Sequence, residues 1–139
     1  MLANGIKLGY STSKNGSYTD LEGLKEVPEM GVEPEKVENT CLSDSVKQYE
    51  FGIGDAGDLT YKFKYENSKS TSPYRVMRAY QASKTVLYFR ETLPDGTLYD
   101  YAAQVSVKRS GGAVNGVLEF DLNMALQSEI EVTDPSTSA

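Results

Sequence analysis

Gly52-Ile53-Gly54-Asp55-Ala56-Gly57 has the G-x-G-x-x-G spacing of a dinucleotide site. That chemistry needs a strand before the glycines and a helix after them, so that a helix N-terminus meets the pyrophosphate. Here the residues that follow, Leu59 to Tyr65, alternate like a strand, and Asp55 puts a negative charge where phosphate would lie. The spacing reads as a hairpin tip. Asp55, Asp58 and Glu66 offer oxygen ligands for calcium but miss the D-x-[DN]-x-[DN]-G order. Glu119 and Asp121 fall on one face of a strand, about 7 Å apart along it, a spacing that paired-carboxylate glycoside hydrolysis could use. There is no Trp to line a sugar cleft. Cys41 lies between Glu38 and Asp44, the opposite of the electropositive setting of a reactive cysteine, and is expected buried and inert. With no histidine, a Ser-His-Asp triad, a Cys-His pair and a His-ligated zinc are excluded; a single cysteine excludes an internal disulfide and an iron–sulfur cluster. No catalytic, cofactor-binding or metal residue is expected, and the chain does not read as an enzyme.

The 139 residues suit one domain, with residues 134–139 as a small, polar, fraying tail. A net charge of -6 argues against gripping a nucleic acid by its phosphates. The charge comes in blocks: +2 over residues 1–19, -8 over 20–58, +5 over 59–110 and -5 over 111–139. Such blocks either cancel across neighbouring strands or set an acidic face of one subunit against a basic face of the next. No apolar run reaches the length of a membrane span, and no secretory signal is visible, so synthesis in a cytoplasm is expected.

Strands dominate the pattern. Leu59, Tyr61, Phe63 and Tyr65 alternate with polar residues; so do Tyr101, Ala103, Val105 and Val107, and Leu118, Phe120, Leu122, Met124 and Leu126. Val86 to Phe89 are contiguous and apolar, which predicts a strand covered on both sides. Lys14-Asn15-Gly16-Ser17, Leu93-Pro94-Asp95-Gly96-Thr97 and Ser110-Gly111-Gly112 mark turns, giving an antiparallel meander. Ser72 as N-cap and Pro73 at the first helical position predict one short helix, about Pro73–Gln81, with Val76, Met77 and Tyr80 on its packed face. Pro28 to Lys36 and Ser43 to Asp58 fit neither pattern and predict extended loops, the second long enough to be functional.

The runs Ala3-Asn4-Gly5-Ile6-Lys7-Leu8-Gly9-Tyr10-Ser11 and Leu21-Glu22-Gly23-Leu24-Lys25-Glu26-Val27-Pro28 resemble the start of major tail proteins of long-tailed, non-contractile phages and prophages of Gram-positive bacteria. Pro34 to Thr40, Lys47 to Gly52, Pro94 to Thr97, Ala102 to Val107 and Leu126 to Val132 continue the likeness over essentially the whole chain. The resemblance implies a mainly β, antiparallel sandwich or barrel-like fold with one helix. It implies hexameric rings stacked into a tail tube, an inner barrel closed by strands from all six subunits, and DNA passing through the lumen without specific binding. The partners so implied are further copies of the chain, the tape measure protein and other tail proteins, with no membrane and no cofactor; the location is the virion. The competing readings are a monomeric β-sandwich binding module and another phage part, such as a tail terminator or head–tail connector.

Three sets of residues are candidates for that role. Glu119, Asp121 and Asn123, on a strand face without Lys or Arg, are candidates to line the lumen as an acidic or neutral wall. Asp44, Tyr49, Phe51, Gly52, Gly54, Asp55 and Gly57 are candidates for an intersubunit loop. Asn4, Ile130 and Val132, near the two ends, are candidates for contacts between stacked rings.

Overall fold

The computed structural model describes residues 1–14, 16–31, 33–55 and 59–136. Asn15, Gly57, Asp58 and residues 137–139 of the tail therefore lie outside the described residues. The elements are β1 (Lys7–Ser11), β2 (Thr19–Asp20), β3 (Leu24–Glu26), β4 (Glu33–Glu38), β5 (Tyr49–Asp55), β6 (Leu59–Lys64), α1 (Pro73–Ser83), β7 (Leu87–Thr92), β8 (Leu98–Arg109), β9 (Glu119–Leu126) and β10 (Glu131–Thr133). The fold is mainly β and antiparallel. One eight-stranded sheet runs β2-β1-β7-β8-β9-β6-β3, with β10 beside β8, and β4–β5 form a separate two-stranded ribbon.

The sheet curls because β8 is long and shared. β7 pairs with its first half, Leu98 to Ala103, and β9 with its second half, Ala103 to Arg109. The inward residues then meet in one cluster, including Leu8, Leu59, Tyr61, Phe63, Leu87, Phe89, Tyr101, Ala103, Phe120, Leu122 and Met124. The alternation read in β6, β8 and β9 is the observed one. In β7 it is stricter than expected. Leu87, Phe89 and Glu91 are buried while Tyr88, Arg90 and Thr92 are half-buried, so the outer face is covered only in part. There the Arg90 guanidinium bonds Asp100 (2.7 Å) and lies 4.5 Å from the centre of the Tyr18 ring.

Helix α1 lies against the inner face. Met77 is fully buried, Tyr74 meets Phe120 edge-on (centroids 5.4 Å apart) and Tyr80 meets Tyr10 (6.0 Å). Ser72 holds the N-cap position, yet its hydroxyl donates to Glu66 Oε2 (2.7 Å) and accepts from the Lys69 N–H (3.1 Å) instead of capping the helix. The hydroxyl oxygen thus accepts from the Lys69 N–H where a capping serine would accept from the first turn of the helix, and its proton goes to the carboxylate. Hydroxyls of Ser68 and Ser72 and the Ser68 N–H together pull Glu66 down to about 2. The helix ends at Ser83, two residues later than expected, with Lys84 capping it in the left-handed conformation (φ 55°).

One acid enters the core. Glu91 shares the inward face with Leu87 and Phe89, is 3% exposed, and its Oε1 has no hydrogen-bond partner. It lies against Tyr61, whose hydroxyl accepts a bond from the Tyr101 hydroxyl (2.9 Å). Burial raises the carboxyl of Glu91 above its ordinary value and raises both phenols as well.

Both segments expected as loops differ from that reading. Glu33–Glu38 is a strand, and in the described part of the long segment, 43–55, the stretch up to Gln48 is open loop while Tyr49–Asp55 pairs with β4. Pro34 and the glycines mask strand propensity in the sequence, but in a ribbon each strand supplies its partner's hydrogen bonds locally.

Candidate assembly surfaces

Glu119, Asp121 and Asn123 do fall on one face of β9, the face turned away from the core. Their neighbours change what that face is. Asp121 sits in a row with Lys62 of β6 and Lys108 of β8, and Glu119 sits beside Lys64 and forms an ion pair with Lys25 of β3 (3.1 Å). Asn123 lies between Thr60 and Ser106 and accepts a hydrogen bond from the Thr60 hydroxyl (2.8 Å). The face is therefore not an acidic wall. It is a polar strip where Lys25, Lys62, Lys64 and Lys108 surround two carboxylates. The sequence identifies these residues one strand at a time; only the register puts the lysines beside the acids.

The ribbon is a sheet separate from the main one, and among the described residues β4 and β5 make their main contacts with each other. Tyr49 pairs with Glu38 and Phe51 with Lys36, so both aromatic rings are carried on the same face of the ribbon, at 57% and 71% exposure. Asp44 accepts the Cys41 N–H (2.7 Å) in the connecting turn, and Asn39 donates to Glu50 (2.8 Å). These bonds stiffen the ribbon without attaching it to the body. Gly52, Gly54 and Asp55 lie in β5. Cys41 is exposed in the ribbon's turn, contrary to the expectation of burial, because the segment around it packs against no core.

The chain ends converge. A Cβ on Gly5 would lie 3.7 Å from Pro94, and one on Gly96 3.3 Å from Pro135, so both ends reach the β7–β8 turn. Asn4 is exposed there and borders a groove shared with Leu24, Lys25, Glu26 and Val27. Val132 is exposed, but on β10 opposite Tyr99. Ile130 is half-buried, with part of its side chain packed against the core cluster.

One feature escaped the sequence. Even-numbered residues of β8 bond β9, as the Gln127 N–H to Ala102 carbonyl and Ser110 N–H to Glu119 carbonyl bonds show (2.7 and 2.8 Å). Odd-numbered residues point to the other edge. β7 meets them up to Ala103; beyond it, no strand among the described residues pairs with Val105, Val107 or Arg109 on that side. Strand parity in the sequence shows which side chains face inward, but not where a partner strand stops.

Among the described residues no group of acids or cysteines is arranged to hold a metal, and no helix is long and apolar enough to cross a membrane. No curated protein matches the chain. Solved structures do. It is similar to a chain in the virion of a native gene transfer agent particle, with a TM-score of 0.72 at 16% identity, over 96% of this chain and 98% of that one. It is similar to a chain in the tail of an empty gene transfer agent particle refined with C6 symmetry, with a TM-score of 0.67 at 21% identity, over 92% and 93%. A chain of the six-fold symmetrised anti-feeding prophage baseplate gives a TM-score of 0.67 at 11% identity, over 93% and 91%. At such identities the likeness concerns the fold: a curled antiparallel sheet with a single helix. The sequence of the phage tail tube protein family matches residues 6–134, which takes in the ribbon, the helix and every strand of the sheet, and the chain belongs to that family.

Proposed function

We propose that the chain is the repeating subunit of a phage tail tube, six copies to a ring, with DNA passing through the lumen during ejection. The ribbon carries this reading: a subunit working alone gains nothing from two exposed aromatic rings held out on a stiff two-stranded arm. The six-fold symmetry of the similar assemblies supports the ring. The reading of a non-contractile tail and a Gram-positive host rests on the sequence runs alone. In the ring, the unpaired edge of β8 takes the far edge of the same sheet, β3, from the next copy. Lys108 and Arg109 flank the first edge; Glu22 and Glu26 flank the second, where Lys25 is already paired within its own subunit. Such a head-to-tail contact closes a ring without any two-fold axis. The ends gathered at the β7–β8 turn, with Asn4 and Val132, meet the next ring, and the tape measure protein and other tail proteins complete the tail.

The strip on β6, β9 and β8 is the lumen lining in this reading, and Glu119 and Asp121 act there by offsetting lysines that would otherwise hold DNA phosphates. Replacing Glu119→Gln and Asp121→Asn keeps the side-chain shapes and removes two negative charges per copy. Virions carrying both substitutions are expected to assemble and to eject DNA more slowly, most of all at low salt, where screening is weak. Fluorescence-monitored ejection at two salt concentrations tests this; unchanged kinetics at both would remove the strip from the lumen.

A further inference from the structure

We propose that Gln81 is a placeholder on the assembly edge: in the separate subunit its side-chain amide occupies the β8 backbone where a neighbour's strand is to bind. The inference rests on the tail-tube reading above. Its basis is the Val107 N–H, which donates to Gln81 Oε1 at 2.9 Å. Val107 is one of the odd-numbered residues of β8 whose backbone groups face the edge without a strand. Nearby, the Gln104 side chain donates to the Lys84 carbonyl (3.2 Å), which ties the chain leaving α1 to the same stretch of β8. The end of the helix thus lies along β8 where β7 has stopped.

An unpaired strand edge invites pairing with any exposed strand, and proteins blunt such edges by covering them or charging them. Here both devices coincide: Lys108 and Arg109 charge the edge, and a side-chain amide covers it. A glutamine is suited to the task. Its oxygen satisfies a backbone donor as a strand carbonyl would, yet it sits on the exposed side of α1, where it can swing into water when a strand displaces it. A second copy must therefore compete for the Val107 N–H. The concentration at which tubes form is set partly by that exchange.

Gln81→Ala removes the placeholder at an exposed helical position that tolerates alanine well. In the dilute subunit, exchange of the Val107 amide with solvent is expected to be about tenfold faster, while core amides keep their protection. The concentration at which tubes appear is expected to fall about fivefold. An unchanged Val107 exchange rate would overturn the proposal, as would faster exchange with an unchanged or higher assembly threshold. Should neither protein form tubes at any concentration, even when seeded with tail initiation complexes, the tail-tube reading itself fails, and this inference with it.

Discussion

Deleting the β4–β5 ribbon, residues 33–55, and bridging the gap with a few glycines and serines is expected to abolish tube formation and leave a folded subunit. Among the described residues no ribbon side chain belongs to the core cluster, and Val37, Tyr49 and Phe51 are exposed in the single chain. Losing them withdraws little stability, and Tm is expected to stay within about 5 °C of the parent. Assembly is a different matter. Burying a Phe or Tyr side chain against a neighbour is worth about 1.5–3 kcal/mol, and each copy brings both rings. A ring of six would lose that contribution at every junction. Cutting within the ribbon is a poorer test: removing β5 alone would leave β4 as an unpaired strand, an aggregation hazard in itself. Calorimetry and electron microscopy of the same preparation decide the point. Normal tubes from the shortened chain would show that the ribbon is not an assembly arm.

The second large effect concerns Glu91. Burial raises its carboxyl above the unfolded value of 4.5, while the hydroxyl of Tyr61 pulls the other way and offsets only part of the rise. The folded subunit thus holds a proton that the unfolded chain releases. The stability from this group is fully present below about pH 4.5 and is lost as pH rises through the folded value. Glu66 works in the opposite sense: lowered to about 2, it favours the fold above its unfolded value and ceases to do so as pH falls toward 2. Stability is therefore expected to decline from about pH 5 upward in the parent. Glu91→Gln keeps the shape without the proton and should flatten that decline. At pH 8 the variant is expected to be more stable by about 1–3 kcal/mol, the cost of a buried charge with an unsatisfied oxygen. Urea titrations at pH 5, 6.5 and 8 measure it; parallel pH dependence in parent and variant would contradict the account of Glu91.

What was legible in the sequence was what one strand or one turn of helix determines by itself. The alternation of Phe120, Leu122 and Met124 placed β9, Pro73 placed the start of α1, and Pro94-Asp95-Gly96 placed the β7–β8 turn. Glu91 was hidden, because the contiguous run Val86 to Phe89 suggested a strand covered on both sides, and only the observed alternation puts Glu91 inward with Leu87 and Phe89. What depends on a partner was hidden. In β5, Tyr49, Phe51 and Ile53 do alternate with Glu50, Gly52 and Gly54, but the glycines there and Pro34 in the partner strand gave the stretch the look of a loop, and no core contact was there to mark it as a strand. The row Lys62–Asp121–Lys108 joins three strands through their register, and register is fixed by the closing of the sheet. The packing of Ile130 against the core cluster was hidden in the same way, because nothing local shows it. The β8 edge is of the same kind, since a strand cannot announce where its neighbour ends.

The tail-tube assignment is tested most directly by imaging the purified full chain over a concentration series, with six-fold averaging withheld until symmetry is established from the particles themselves. Rings and stacked tubes of six subunits are expected, with the ribbon of each copy lying on its neighbour and the β8 edge paired. A chain that stays a compact monomer at every concentration, even when seeded with tail initiation complexes, would contradict the assignment, and so would closed assemblies with another symmetry.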